Sequence, residues 1–165
     1  MRHAKSSWDD AALDDHDRPL NRRGEHAAAE VAAALARHPD PPSLALCSPA
    51  KRTLATLEPI QDALGARLRT EIEPELYLAG AEALLARVAR LPERERSVML
   101  IGHNPGLHEL AVQLAARGAR GELARLRAKL PTAALAILEL DVARWRDVGP
   151  GCATLVEIRT PRGRD

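Results

Sequence analysis

The spacing of apolar and polar residues along the chain predicts helices that alternate with short buried strands. Stretches with helical periodicity end at glycine or proline, and short apolar runs lie between them. The predicted helices span residues 23–37, 51–64, 79–91 and 107–116, and the predicted strands span residues 44–47, 68–72 and 97–101. This alternation is typical of a mainly parallel sheet that is covered by helices on both faces.

The last third of the chain has a different pattern. Residues 117–129 interleave basic residues with leucine at helical spacing, which predicts a solvated amphipathic helix. Residues 133–140 and 154–159 alternate more like strands, so we expect a late hairpin that extends one edge of the sheet. The tail, residues 160–165, is expected to fray.

Length and composition favour one α/β domain over residues 1–165. A chain of 165 residues lies within the usual size range of a single domain. Phenylalanine is absent, so the core is expected to consist of Leu, Ala, Val and Ile. Such a core suits helices that pack closely on a sheet.

Charge and cysteine content exclude several kinds of partner. A formal net charge of +1 provides no global field that would attract nucleic acid or an anionic membrane. Two cysteines are too few for a disulfide framework, and the chain does not open with a charged-then-apolar signal segment. No apolar run approaches the ~20 residues that span a bilayer. We therefore expect a cytoplasmic protein without a nucleic-acid or membrane partner.

Three polar segments stand at or near predicted strand ends. SPAKR (residues 48–52) follows one strand, GHNPG (residues 102–106) follows another, and RHAKSS (residues 2–7) opens the chain. Ligands of open parallel sheets bind at the carboxyl ends of the strands. The segments together supply two imidazoles and two guanidiniums, which can surround a phosphoryl group and attack it without a metal. Arg52 falls in the first turn of its helix, where the helix dipole also favours an anion.

The motifs RHAKSSW, RPLNRRG, SPAKRT and GHNPG, in this order, resemble those of the histidine phosphatase superfamily. The resemblance is to the branch of small phosphohistidine phosphatases typified by the SixA proteins, and it covers almost the full chain. It implies a three-layer α/β/α fold of the phosphoglycerate mutase-like type and a phosphatase that needs neither metal nor cofactor. In that family the histidine of an Arg-His-Gly or Arg-His-Ala motif is phosphorylated, and this motif maps onto Arg2, His3 and Ala4. The family's second arginine and second histidine map onto Arg52 and His103.

The resemblance also implies a two-step reaction. Neutral His3 attacks phosphorus, the leaving group departs on the opposite side, and water then cleaves the phosphohistidine. Arg2, Arg52 and a protonated His103 would neutralise the charge on the phosphoryl oxygens. A hydrogen-bond acceptor on the other ring nitrogen of His3 would fix its tautomer. Further substrate-binding residues are expected at the following positions: Ser48, Asn104, His16 and Glu75.

The leaving group bears on the substrate. A departing alkoxide needs a general acid, for which Glu75 is the best positional candidate and Glu71 and Glu73 lie nearby, whereas a departing imidazole needs less help. We therefore expect a phosphatase that acts on phosphohistidine in proteins. Two alternatives stay open: a phosphatase of small phosphate compounds from the same superfamily, and a catalytically impaired phosphate-binding or interaction module. No His-x-x-x-His or Cys-x-x-Cys spacing supports a metal site.

The chain departs from the family pattern at its start. The family places its Arg-His pair at the end of a central strand, whereas only Met1 precedes Arg2 here. We therefore expect a truncated first strand, a gap or groove where that strand would run, a loosely held His3 and low stability. We also expect residues 44–47 and 97–101 to share one parallel sheet. His3, Arg2, Arg52 and His103 should converge on one pocket beside it.

Overall fold

The structure is a computed structural model that describes residues 1–161. Of the tail predicted to fray, residues 162–165 lie outside the described part. The helices are α1 (Arg22–Ala36), α2 (Lys51–Leu64), α3 (Ala81–Val88), α4 (Gly106–Leu114) and α5 (Arg120–Ala128). The strands are β1 (Leu44–Cys47), β2 (Arg69–Ile72), β3 (Val98–Ile101), β4 (Ala115–Gly118), β5 (Leu135–Leu140) and β6 (Ala153–Arg159). No helix within residues 1–161 has both the length and the apolar character that crossing a membrane requires.

The first sheet is parallel and has the strand order β2-β1-β3. All four residues of β1 are buried, because successive side chains of a strand point to opposite faces and both faces are covered. Leu44 and Leu46 pack in the core cluster that contains α3 and α4. Ala45 and Cys47 pack in the cluster that contains α1 and α2. This arrangement confirms the three-layer α/β/α fold and the parallel pairing of residues 44–47 with β3.

The second sheet has the order β4-β6-β5. β5 and β6 are antiparallel, as predicted for the late hairpin, but they do not extend an edge of the first sheet. β6 instead pairs in parallel with β4, a strand that the helical spacing of residues 107–129 did not predict. Gly118 permits this close pairing, because a Cβ at this position would lie 2.8 Å from the carbonyl oxygen of Leu155. Strand pairing thus overrides the local helical pattern at residues 115–118.

The first three residues join the two sheets. On one side, His3 N donates to Gly102 O at 3.0 Å, and Gly102 N donates to Met1 O at 3.2 Å, which forms a parallel bridge beside β3. On the other side, Arg2 N donates to Ala134 O at 3.1 Å, and Ala133 N donates to His3 O at 3.0 Å. The first residues of the chain therefore lie beside β3, as predicted. These bonds anchor the backbone of His3, so the expectation of a loosely held residue is wrong.

An apolar groove of about 840 Å³ lies between β3 and β5. Its walls include Met1, Val98, Leu100, Leu135 and Ile137. The α-amino group of Met1 is buried and donates to Leu100 O at 2.7 Å. The groove confirms the expectation of an opening at this place in the fold.

Candidate active site

The candidate site lies at the carboxyl ends of β1 and β3, where the chain start meets both sheets. Ser48 directly follows β1, and Gly102 and His103 directly follow β3. Because Arg2 is bridged to Gly102, His3 emerges at the same edge as these residues. The sheet topology thus brings together segments that are about 50 residues apart in sequence.

A close approach between the backbones of α1 and of the segment after His3 positions His3. The side chain of Asn21 caps α1 by accepting from Gly24 N at 2.9 Å, and Asn21 N donates to Lys5 O at 2.9 Å. A Cβ at Gly24 would lie 2.2 Å from that same Lys5 oxygen. Only glycine therefore lets the first turn of α1 press against the segment that carries His3.

The tautomer of His3 is fixed by a backbone carbonyl. His3 is buried, and its Nδ1 lies 2.7 Å from Ala4 O. A carbonyl oxygen only accepts hydrogen bonds, so Nδ1 carries the proton and Nε2 keeps its lone pair. Burial is the main cause that lowers the pKa of His3 to about 4. His3 is therefore neutral at pH 7, with an unprotonated Nε2.

Arg52 is held rigidly in the first turn of α2. The residue is buried, and its Nη2 donates to His103 Nδ1 at 3.2 Å. Thr56, one turn later, links this helix to the nucleophile segment. Its hydroxyl donates to Arg52 O at 2.7 Å and accepts from Ala4 N at 2.9 Å. Movement of Arg52 relative to His3 would break these bonds.

His103 lies beside His3, with ring centroids 5.3 Å apart. Arg52 only donates, so His103 Nδ1 is the acceptor, and Nε2 carries the proton that is donated to Ser48 Oγ at 2.7 Å. Burial, followed by the charge of Arg52, lowers the pKa of His103 to about 3. His103 is thus neutral in the free protein, because a second buried cation beside Arg52 is unfavourable, and its protonation against a phosphoryl group stays a prediction.

Two further predicted residues, Arg2 and Asn104, meet at Leu130. Arg2 Nη1 donates to Leu130 O at 3.1 Å, and Asn104 Nδ2 donates to the same oxygen at 2.9 Å. Arg2 Nε and Asn104 Oδ1 are buried and have no hydrogen-bond partner among the described residues. The charge of Arg2 lowers the pKa of both His3 and His103, which places it within electrostatic reach of the site. An unpaired buried donor costs about 1–3 kcal/mol, which a phosphoryl oxygen would offset.

The two remaining predictions have different outcomes. His16 lies at the mouth of the site, where its ring meets the edge of Tyr77 at a centroid distance of 5.1 Å. Glu75 does not join the site: it is exposed on a short 3₁₀ helix (Pro74–Leu76), and its charge acts on Arg87. Arg87 also pairs with Glu73 at 2.6 Å, so the carboxylate of Glu75 belongs to a neighbouring cluster of ion pairs.

Sequence reasoning missed Asp15 and Tyr77. Asp15 Oδ2 accepts from Arg52 Nη2 at 2.8 Å and from Tyr77 Oη at 2.7 Å. Arg52 Nη1 also donates to the backbone carbonyl of Asp15. The Tyr77 ring stands edge-on to His103, at 5.4 Å between centroids. Each lies close to a predicted residue, because Asp15 directly precedes His16 and Tyr77 is two residues after Glu75, but the sequence does not show that the two side chains meet.

Electrostatically, the site is a buried cationic pocket with one acidic side chain at its mouth. Arg52 has an exposed side-chain fraction of 5%, whereas that of Asp15 is 50%. Within residues 1–161, no cluster of three or more His, Cys, Asp or Glu residues has the arrangement of a metal site. The groups that do converge suit an oxyanion: guanidinium donors and an uncharged imidazole nucleophile.

Comparisons with known proteins agree with this geometry. The model of the histidine phosphatase superfamily (branch 1) matches residues 1–77. An uncharacterized protein of Mycobacterium tuberculosis is 34% identical, with 98% of this chain and 100% of the relative covered. The solved structure of SixA from Nakamurella multipartitia has a TM-score of 0.83 and 29% identity, and it covers 99% of this chain and 94% of that one. A structure of the protein histidine phosphatase SixA complexed with tungstate has a TM-score of 0.77 and 27% identity, with 98% and 94% covered.

These matches bear out both the fold and the resemblance. They show a phosphoglycerate mutase-like α/β fold and support a phosphatase function. The chain belongs to the histidine phosphatase superfamily, in its SixA-type branch.

Proposed function

We propose that this protein is a metal-independent phosphatase that forms a phosphohistidine on His3 and dephosphorylates phosphohistidine residues of other proteins. One observation carries the proposal. The bond from His3 Nδ1 to Ala4 O leaves the Nε2 lone pair free in a pocket lined by Arg52 and His103. A neutral, oriented imidazole next to fixed cationic donors is what nucleophilic attack on a phosphoryl group requires.

In the first step, His3 Nε2 attacks phosphorus as the bond to the leaving group breaks. The positive charge that develops on the ring of His3 is stabilised through Nδ1–H and the Ala4 carbonyl. Arg52 and Arg2 neutralise the equatorial oxygens, and each such preorganised donor contributes about 3 kcal/mol in other enzymes. His103 is neutral in the free protein, so the phosphoryl group must raise its pKa before it adds positive charge.

In the second step, water attacks phosphorus from the side that the leaving group has vacated. The electron pair of the P–N bond returns to His3 Nε2, and inorganic phosphate leaves. His3 is restored as a neutral imidazole with its proton on Nδ1. The side of the site opposite His3 is thus used twice, first by the leaving group and then by water.

The choice of a phosphohistidine substrate is supported by the acid–base groups of the site. Glu75, the predicted acid, is exposed and its charge acts on Arg87, and the pKa of Asp15 is lowered by the Tyr77 hydroxyl and by Arg52. Asp15 is therefore ionised at neutral pH and holds no proton for a departing alkoxide. An imidazole leaves without such help. The cytoplasmic location and the lack of a nucleic-acid partner stay predictions from composition.

The test is covalent labelling from a ³²P-phosphohistidine protein. The wild type should acquire acid-labile label and release phosphate, and EDTA should change neither rate. His3→Ala should neither acquire label nor release phosphate. His26→Ala, which alters an exposed histidine on α1, should behave as the wild type. Absence of label would favour the binding-module alternative. Faster turnover of simple phosphomonoesters than of phosphohistidine would favour a small-molecule phosphatase.

A further inference from the structure

The carboxylate of Asp15 is bound to the guanidinium that the proposed function assigns to the phosphoryl group. Arg52 Nη2 has two hydrogens, and they go to Asp15 Oδ2 and to His103 Nδ1. A phosphoryl group must therefore share Arg52 with an anion that is already bound. Tyr77 Oη holds the same carboxylate oxygen at 2.7 Å, so the arrangement is fixed by two donors from different parts of the chain.

Asp15 also lies on the solvent-exposed side of the site. In-line displacement places the leaving group opposite the attacking nitrogen. His3 is buried at the base of the pocket, whereas half of the Asp15 side chain is exposed at its mouth. A leaving group that is still attached to a folded protein can only enter through the mouth. It would therefore stand next to Asp15.

Resting on the proposed function, we propose that Asp15 selects the leaving group. Its carboxylate accepts a hydrogen bond from the N–H of the departing imidazole, so the site favours N-phosphorylated imidazoles over phosphomonoesters. Oδ1 is the available acceptor, because both bonds from Arg52 Nη2 and Tyr77 Oη go to Oδ2 and Oδ1 has no partner within residues 1–161. Tyr77 acts as a positioning residue that aims this carboxylate.

The chemistry balances without a proton donor. The substrate reacts as the imidazolium cation, which carries phosphorus on one ring nitrogen and a proton on the other. As His3 Nε2 bonds to phosphorus, the P–N electron pair moves onto the departing nitrogen, and the ring leaves as neutral imidazole. Its proton stays on the far nitrogen, where the carboxylate of Asp15 holds it during the transfer.

The same carboxylate disfavours a phosphomonoester. An ester oxygen that departs as an alkoxide needs a proton, and Asp15 is ionised because Tyr77 and Arg52 lower its pKa. The ester also offers no N–H to the carboxylate and instead brings an oxygen that becomes more negative. Asp15 therefore acts on both sides of the discrimination: it attracts one leaving group and repels the other.

The experiment compares kcat/KM for N-phosphoimidazole and for phenyl phosphate, whose leaving groups are rings of similar size. In Asp15→Asn the preference for N-phosphoimidazole should fall by about 10- to 100-fold, the effect of losing one hydrogen bond to a charged group. Asp14→Asn is the matched control, because the neighbouring side chain is exposed and forms no capping bond. This variant should keep the wild-type preference.

Parallel changes would overturn the proposal. If Asp15→Asn lowers kcat/KM for both substrates by the same factor, Asp15 only holds Arg52. If it raises kcat/KM for both equally, Asp15 only competes with the phosphoryl group for Arg52. Tyr77→Phe, which retains the ring, is the second variant should Asp15→Asn fail to fold, and a smaller shift of the preference in the same direction is expected. Labelling of His3 in the wild type tests the proposed function separately, and a labelled enzyme whose preference ignores Asp15 refutes this inference alone.

Discussion

The two halves of the junction between the sheets differ sharply in how they are held. At the carboxyl ends of the strands, Met1, Arg2 and His3 bond to Gly102 on one side and to the Ala133–Ala134 turn on the other. Towards the opposite ends, β3 and β5 face each other across the apolar groove. The catalytic end is thus rich in polar contacts and well ordered, while the end below it is apolar and sparsely bonded.

This difference teaches that contacts at the carboxyl ends of the strands, and not those along the groove, set the position of His3. Three residues, together with the Thr56 link and the close approach of Gly24, fix the nucleophile. Stability is a separate matter, because backbone groups that face the groove add nothing to the sheet. We therefore expect substitutions at the catalytic end to act on turnover, and changes at the groove to act first on stability.

The largest effect is expected from removal of a polar group at the catalytic end. His103→Ala should lower the single-turnover rate of phosphoryl transfer by about 10²–10³-fold, because a preorganised group that faces the transferred oxygens is lost. Rapid-quench kinetics measures this rate. His108→Ala removes a histidine that bonds to Leu126 O instead and should leave the rate within a few-fold. Equal losses in the two variants would contradict the division between the two regions.

A large effect on stability is expected from an added strand. An apolar, strand-forming segment of five to six residues joined upstream of Met1 should raise the free energy of unfolding by roughly 3 kcal/mol, since each new backbone bond contributes about 0.5–1.5 kcal/mol. Turnover should change little, because the backbone of His3 is already anchored to Gly102 and Ala133. A Gly/Ser extension of equal length is the control. If the apolar and the polar extensions give the same melting temperature, the groove does not accept a strand.

An intermediate effect is expected where α1 presses on the nucleophile segment. Gly24→Ala places a methyl group 2.2 Å from Lys5 O, which forces a backbone shift that costs about 1–3 kcal/mol and lowers turnover. Gly121→Ala is the matched control, because its Cβ meets nothing within 4 Å and alanine favours helix α5. Denaturant melts should therefore show a lower free energy of unfolding for Gly24→Ala and an equal or higher one for Gly121→Ala. The value of kcat should fall for Gly24→Ala only. A harmless Gly24→Ala would show that this approach does not position His3.

The smallest effect concerns pH. Burial lowers the pKa of the Met1 amino group from 8.0 to about 5, so the unfolded chain binds more protons between these values and stability falls as pH drops through this window. Between pH 8 and 6.5 the loss should be about 1–2 kcal/mol. Below pH 6.5 the lowered pKa values of His3 and His103 add losses of the same sign.

The extended chain sharpens this pH test. Its Met1 nitrogen is an amide and cannot take up a proton, so between pH 8 and 6.5 its stability should fall by less than that of the unextended chain, since only the onset of the His3 and His103 titrations remains. Chemical denaturation at these two pH values measures the difference. A stability that is independent of pH in the unextended chain would show that the amino group is not buried in solution.

Much of the fold could be predicted because its signals are local. The bounds of β1 and α2 follow from an apolar run that ends at Ser48 and from a helical pattern that closes at Gly65. β4 could not be predicted, since residues 115–118 carry a helical pattern and become a strand only through pairing with β6.

The site shows the same division. His3, Arg52 and His103 were predicted because each stands in a short motif next to a strand end. Asp15 was missed because its role depends on Tyr77, 62 residues away, and no local pattern encodes that hydrogen bond. The uncharged state of His103 in the free protein could not be predicted for a related reason: burial and the position of Arg52, which lower its pKa, are properties of the folded chain.

The central claim is that His3 accepts the phosphoryl group on Nε2, and the position of the label tests it most directly. The phosphoenzyme would be quenched at alkaline pH and digested, the labelled peptide sequenced by mass spectrometry, and the ring position read by ³¹P NMR. The account predicts one labelled residue, His3, phosphorylated on Nε2, because Nδ1 is committed to Ala4 O. Phosphate on His103, on Ser48 or on Nδ1 of His3 would contradict it.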